Sequence, residues 1–292
     1  MKCAVVSDIH IDFWIDIWPP KGDTKDYNVV LPVFEQFFDM YIAKPYGDAD
    51  VLFIPGDICN DEYNQINFLK YIGTKFKEVY VCFGNHDLCV VGHTFGNGNP
   101  HSTSEERMAS VIEAMKGTNV HVLEGEMHGD VFGCMGMCDC SSHLTMFSTV
   151  ESNIAKWKKW YDGKTWKYMT AEDGYTMNPS HIFAKYRKYL EEGVAKQPKV
   201  IMTHFCPIQM GVERIYDNNT TTCYFYFDAK QFMDELDHDT YWLCGHVHTA
   251  FKTDYVNAKG HTIHILCNPS GYPGESPSYA YGHVPESYVF EI

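Results

Sequence analysis

"YWLCGHVHT", residues 241–249, runs an apolar segment straight into two histidines separated by one valine. An imidazole gains little at the end of a buried run unless its ring nitrogens are used there, so His246 and His248 raise the question of how other such runs end. Four end in a related way. "CAVVSDIH" (3–10) closes on Asp8 and His10, "VLFIPGD" (51–57) on Asp57, "EVYVCFGNHD" (78–87) on Asn85, His86 and Asp87, and "PKVIMTHF" (198–205) on His204. Three further apolar runs, "VHVLEGE" (120–126), "DVFGCMGM" (130–137) and "HTIHILCNP" (261–269), share the length and β-branched content of buried strands.

Helical spacing fills the intervals. Residues 30–43 place Val33, Phe34, Phe37, Phe38 and Tyr41 on one face, 65–76 place Ile66, Leu69, Ile72 and Phe76, and 105–116 place Met108, Val111, Ile112 and Met115 behind a cap at Ser104. Ser180 is a second candidate cap, ahead of Phe183, Tyr186 and Leu190, and Asp228 a third, ahead of Phe232 and Leu236. Strands alternating with helices predict a layered α/β domain, in which ligands bind beyond the carboxyl ends of the strands. Five strand ends bearing Asp, Asn and His then converge on one site. The i, i+2 pairs Asp8/His10 and His246/His248 are expected to point to one side of an extended segment.

The chain has 292 residues, 45% of them hydrophobic, with no repeat, low-complexity tract or long linker, which predicts one domain over 1–292. No stretch approaches the roughly 18 apolar residues of a membrane span, and the amino-terminal run is too short for a signal peptide, so a cytoplasmic protein with no membrane partner is expected. Eleven scattered cysteines suit buried thiols better than a disulfide framework. A formal charge of −15 argues against a stable nucleic-acid partner. Arginine, the usual phosphate clamp, occurs only at 107, 187 and 214. Phosphate chemistry here would need another source of positive charge.

Metal supplies one. Asp8, His10, Asp57, Asn85, His204, His246 and His248 are seven potential ligands, too many for one ion that keeps an open position. Two divalent ions sharing one carboxylate are implied; imidazole, carboxylate and amide oxygen suit zinc, iron, manganese or nickel better than a soft thiolate site would, and manganese is the ion expected. Such a pair activates a bridging water as hydroxide for in-line displacement at phosphorus.

The ordered set D-x-H, G-D, G-N-H-D, H and G-H-x-H over residues 8–248 resembles the calcineurin-like metallophosphoesterase superfamily. The resemblance implies a four-layered αββα sandwich of two mixed β-sheets flanked by helices, and a hydrolase of phosphoesters. It implies one ion on Asp8, His10, Asp57 and His248 and a second on Asp57, Asn85, His204 and His246. It makes His86 the histidine that protonates or stabilises the leaving oxygen, oriented by Asp87. A phosphodiester is the favoured substrate, with nucleotides among the candidates, and a small phosphomonoester is the alternative. A single-strand nuclease, a protein phosphatase and a metal-binding scaffold without turnover are the other readings.

Other residues carry weaker signals. His93, His143 and Arg214 are candidate substrate contacts by their nearness to the motifs. Cys134, Cys138 and Cys140 are expected to be buried rather than a thiolate metal site. Residues 141–198 form a lid-like insertion with three tryptophans (157, 160 and 166) and five lysines between 156 and 167. That mix suits either base stacking against a phosphate backbone or, preferably, one helix packing Trp157, Trp160 and Tyr161. "CNPSGYPGE" (267–275) is expected to be a structural turn.

Overall fold

The computed structural model describes residues 1–90, 101–142, 148–167, 169–170, 174–175, 178–209, 220–275 and 288–292. Its strands are β1 (Lys2–Val5), β2 (Val51–Pro55), β3 (Glu78–Cys82), β4 (Val120–Val122), β5 (Glu126–His128), β6 (Val131–Cys134), β7 (Met169–Thr170), β8 (Gly174–Tyr175), β9 (Val200–Thr203), β10 (Thr240–Cys244), β11 (Phe251–Val256), β12 (Thr262–Cys267) and β13 (Val289–Glu291). One sheet has the order β13-β1-β2-β3-β4, another β11-β12-β10-β9-β6-β5, and β7 and β8 form a separate pair.

Both large sheets are mixed. β1, β2, β3 and β4 run parallel, with Cys3 opposite Val51 and Val51 opposite Glu78, and β13 is antiparallel at the edge. In the second sheet β6, β9, β10 and β12 are parallel, and β5 and β11 close the two edges antiparallel. Every residue of β2, β6 and β9 is buried, as expected where a sheet is covered on both faces. By contrast β11 alternates half-buried and exposed positions, the mark of an edge strand with one wet face.

The sheets pack face to face, β3 against β6 and β9 and β10 against β2. Phe53, Val81, Phe132, Ile201 and Trp242 are fully buried, and the Trp242 indole N–H is satisfied by Thr203 Oγ1 at 2.9 Å. Helices Glu62–Gly73 and Ser104–Met115 cover the first sheet, and Pro179–Val194 covers the second beside β5 and β6. Two mixed sheets between helices are therefore observed as expected. The predicted helices form with shifted ends. Tyr27–Phe37 starts early under the Asp26 cap and passes into a π-helical turn, Phe38–Ala43. Thr103 rather than Ser104 caps its helix, in a reciprocal box with Glu106, and Asn178 rather than Ser180 caps Pro179–Val194. Asp228 accepts from Lys230 N ahead of Lys230–Met233, and Leu236 lies beyond that helix. Among the described residues, no helix is long and apolar enough to cross a membrane.

Candidate metal centre

The parallel strands β1, β2 and β3 of one sheet and β9 and β10 of the other end on a common edge. The turns beyond them carry Asp8 and His10, Asp57, Asn85 and His86, His204, and His246 and His248. Among the described residues seven non-glycines have positive φ, and five are here: Asp8 (52°), His10 (47°), Asp57 (57°), His246 (70°) and His248 (50°). The i, i+2 pairs thus do not lie on extended chain, as alternation alone would have it; left-handed turns fold them inward. Each such residue costs of order 1–3 kcal/mol and persists only where its surroundings hold it.

Hydrogen bonds hold these turns. Asp8 accepts from Ser7 Oγ (2.6 Å) and His246 N (3.0 Å), joining the two sheets, and Asp57 accepts from His86 N (2.8 Å). The Asp87 carboxylate takes four backbone N–H groups, from Asp57 (3.0 Å), Ile58 (3.0 Å), Cys59 (3.2 Å) and Gly84 (2.7 Å). Asp87 therefore does not orient the His86 ring as expected; it clamps the turns after β2 and β3 together. Gly84 permits that clamp, since a Cβ there would sit 2.2 Å from Asp57 Oδ1.

Two groups of potential ligand atoms result, each within 4.8 Å of one another: Asp8, His10, Asp57 and His248, and Asp57, His204 and His246. Asp57 belongs to both. In the first, His10 Nε2 lies 3.1 Å from His248 Nε2 and 3.6 Å from Asp57 Oδ2, and His248 Nε2 lies 3.4 Å from Asp8 Oδ1. In the second, His204 Nε2 is 3.4 Å from Asp57 Oδ1, and Asn85 Oδ1 is 2.9 Å from both His204 Nε2 and His246 Nδ1. Three rings have their outer nitrogen pinned: His204 Nδ1 at Pro55 O (2.8 Å), His246 Nε2 at Tyr224 O (3.2 Å) and His248 Nδ1 at Glu275 Oε2 (2.7 Å). The inner nitrogens thereby face one another, free to offer lone pairs once neutral, the usual support of metal-ligating imidazoles, so these residues fit divalent cations.

The charges fit too. Burial favours a neutral Asp8, but His248 outweighs it and holds the carboxyl at about 2; burial likewise opposes Asp57, and His204 and His86 hold it well below the carboxylate range. Burial also works against charge on His204 and His248, yet Asp57 raises His204 to about 9, and Asp8 and Glu275 raise His248 to about 10. Without metal, two imidazolium rings stand among three carboxylates, Asp8, Asp57 and Glu275.

His86 stands beside this cluster, its Nε2 4.0 Å from Asp57 Oδ2. Asn60 Nδ2 donates to the buried Asp12 (2.8 Å), which turns Asn60 Oδ1 to accept from His86 Nδ1–H (2.8 Å). The Tyr161 ring stacks on His86 at 4.7 Å, and its hydroxyl donates to Asn60 Oδ1. Tyr272 Oη lies 3.0 Å from His86 Nε2, and its ring stacks on His10 at 4.4 Å.

A model of the family described as calcineurin-like phosphoesterase matches residues 1–250. The chain belongs to that family. The fold agrees: phosphopantetheinyl hydrolase from Mycobacterium tuberculosis superposes with a TM-score of 0.64 at 16% identity, covering 100% of this chain and 95% of that one. A dimetal phosphatase from Danio rerio aligns over 92% of this chain and 87% of its own with a TM-score of 0.43 at 11% identity. No curated protein matches the sequence. As a member of this family the protein is a metal-dependent hydrolase, with a phosphoester as the substrate class.

His93, His143 and Arg214 lie outside the described residues. Arg107 is not a phosphate contact but a buried brace, its guanidinium donating to Cys59 O (2.9 Å), Cys89 O (2.5 Å) and Gln65 Oε1 (3.1 Å). All eleven cysteines are buried, Cys134, Cys138 and Cys140 among them, and no disulfide joins any of them. Within the 141–198 segment the helix Val150–Trp157 stops before Trp160 and Tyr161, so the single packed helix is not formed. Trp157 and Trp166 are buried, leaving only Trp160 of the three tryptophans to meet a base. Asn60, Tyr161, Asp162, Tyr272 and Glu275 all touch the candidate site, and none stands out in the sequence as a site residue. Tyr272 and Glu275 belong to the expected turn, whose Gly271 N donates to Asp8 O at 2.9 Å.

Proposed function

We propose that this protein hydrolyses phosphodiesters in preference to monoesters, with one divalent cation held by Asp8, His10, Asp57 and His248 and another by Asp57, Asn85, His204 and His246. The supporting observation is the pair of ligand groups that share Asp57. Cations held there, manganese first, supply the Lewis-acid charge that the scarce arginines do not. His86, its Nδ1–H taken by Asn60, presents Nε2 to the leaving oxygen. Burial pushes this ring down to about 4 in the metal-free chain, and a phosphoryl anion beside it acts in the opposite direction.

The surroundings favour a diester. Phe13 lies 4.8 Å from Tyr272, Tyr161 covers His86, and Phe225 lies 5.4 Å from His246. Such aromatic walls suit the second organic arm of a monoanionic ester. Tyr161, within 141–198, makes that segment one wall of the site. Metal-stripped protein reloaded with Mn²⁺ is expected to turn over bis-4-nitrophenyl phosphate with a higher kcat/KM than 4-nitrophenyl phosphate. The reverse order would remove the diester preference, and failure of Mn²⁺ to support turnover of either ester would remove the hydrolytic reading of these residues.

Metal binding itself carries a pH signature. His204 and His248 hold protons at pH 7 without metal, and ligation needs neutral imidazoles, so loading is expected to release about two protons per chain. Because both values are raised, apparent affinity weakens as pH falls and strengthens up to about 10, with His204 titrating at about 9 and His248 at about 10. Calorimetric titration with Mn²⁺ in buffers of different ionisation enthalpy reads the release directly, and buffer-independent heats would contradict it.

A further inference from the structure

Asn85 is an amide, and only one of its two ends can hold a cation. Its oxygen and its NH₂ group have nearly the same shape, so a partner must decide which end faces the cluster. That partner is Asp162: Asn85 Nδ2 donates to Asp162 Oδ1 at 2.9 Å, leaving Oδ1 at 2.9 Å from both His204 Nε2 and His246 Nδ1. Asp162 is buried, in the short helix Tyr161–Thr165. Its neighbour Trp166 fixes the other end of the same residue, the indole N–H donating to Asn85 O at 2.7 Å. Two bonds from one stretch of the 141–198 segment thus grip a single residue of the β3 turn.

We propose that Asp162 is a positioning residue that orients the Asn85 amide and thereby makes the second cation site, so that the 141–198 segment completes the metal centre as well as walling it. This rests on the proposed role of Asn85 as a ligand. Asp162→Leu removes the acceptor and frees the amide to turn its NH₂ group inward, where it repels a cation. Asp162→Asn keeps an acceptor for Nδ2. A carboxylate at 85 has no wrong end, so Asn85→Asp needs no orienting partner.

The test is calorimetric titration of metal-stripped full-length protein with Mn²⁺, with thermal unfolding of each metal-free variant alongside. Wild type is expected to take two ions; Asp162→Leu is expected to weaken one of the two by about 10- to 100-fold, the usual effect of losing a group behind a ligand. Asp162→Asn is expected to bind both nearly as wild type does, and the double variant Asn85→Asp/Asp162→Leu to recover the site that Asp162→Leu loses. Two unaltered sites in Asp162→Leu would overturn the proposal. So would a double variant no better than the single one, since a merely structural role for Asp162 gives no such recovery. If Asp162→Leu does not fold, the double variant decides by the same comparison with wild type, and should it not fold either, Asp162→Asn decides: retention of both ions supports the proposal and loss of one overturns it. Fewer than two ions in wild type would instead count against the ligand assignment beneath it.

Discussion

Asp57→Asn is expected to lower Mn²⁺-dependent diester hydrolysis on the order of 10³-fold or more, the scale of a lost metal-derived stabilisation of several kcal/mol. No other residue belongs to both ligand groups, with Oδ2 3.6 Å from His10 and Oδ1 3.4 Å from His204. Asparagine keeps the shape, and its oxygen can still accept the His86 N–H that Asp57 Oδ1 now accepts at 2.8 Å, so the β2 turn retains its anchor. What it loses is the charge the two cations would share. The imidazolium of His204, maintained by Asp57, loses its counter-charge as well. Steady-state rates beside a metal count check this, and a variant with more than about a tenth of wild-type kcat and both ions would exclude Asp57 as the shared ligand.

The second large effect concerns stability. Arg107 is fully buried and braces the β2 and β3 turns through Cys59 O, Cys89 O and Gln65 Oε1. Methionine at 107 fills much of the volume and satisfies none of these acceptors. Two or three buried acceptors left unmade, at about 1–3 kcal/mol each, put the expected loss at about 3–5 kcal/mol. Urea unfolding of metal-free protein should show a lower midpoint with little change in slope, and a loss under 1 kcal/mol would mean that water or relaxation serves those carbonyls instead.

Much of this site was legible in the sequence because buried parallel strands read as continuous apolar runs and their ends as polar punctuation. Asp8, His10, Asp57, Asn85, His204, His246 and His248 stand out for that reason, and the structure brings them together. How they come together was not legible. Asp8 and His10 meet through left-handed turns, a conformation that no short pattern of Asp and His announces. Edge strands were missed for a related reason: β11, "FKTDYV", exposes every second residue and so lacks the apolar run that marks β2. Asp87 shows the limit of motif adjacency, since sequence neighbours of His86 need not touch its ring, and the residue that holds its Nδ1, Asn60, comes from another turn. Asp162 and Tyr272 are more distant still, reaching Asn85 and His86 across 77 and 186 residues. Only the fold reveals such contacts.

The most direct test of a cluster built for two cations around one carboxylate is a metal count. Metal-stripped protein is equilibrated with Mn²⁺, freed of excess and analysed by elemental mass spectrometry, with Asp57→Asn treated in parallel. Two ions per wild-type chain, falling below two in Asp57→Asn, is the predicted result. One ion or none in the wild type, or two in both proteins, would contradict it.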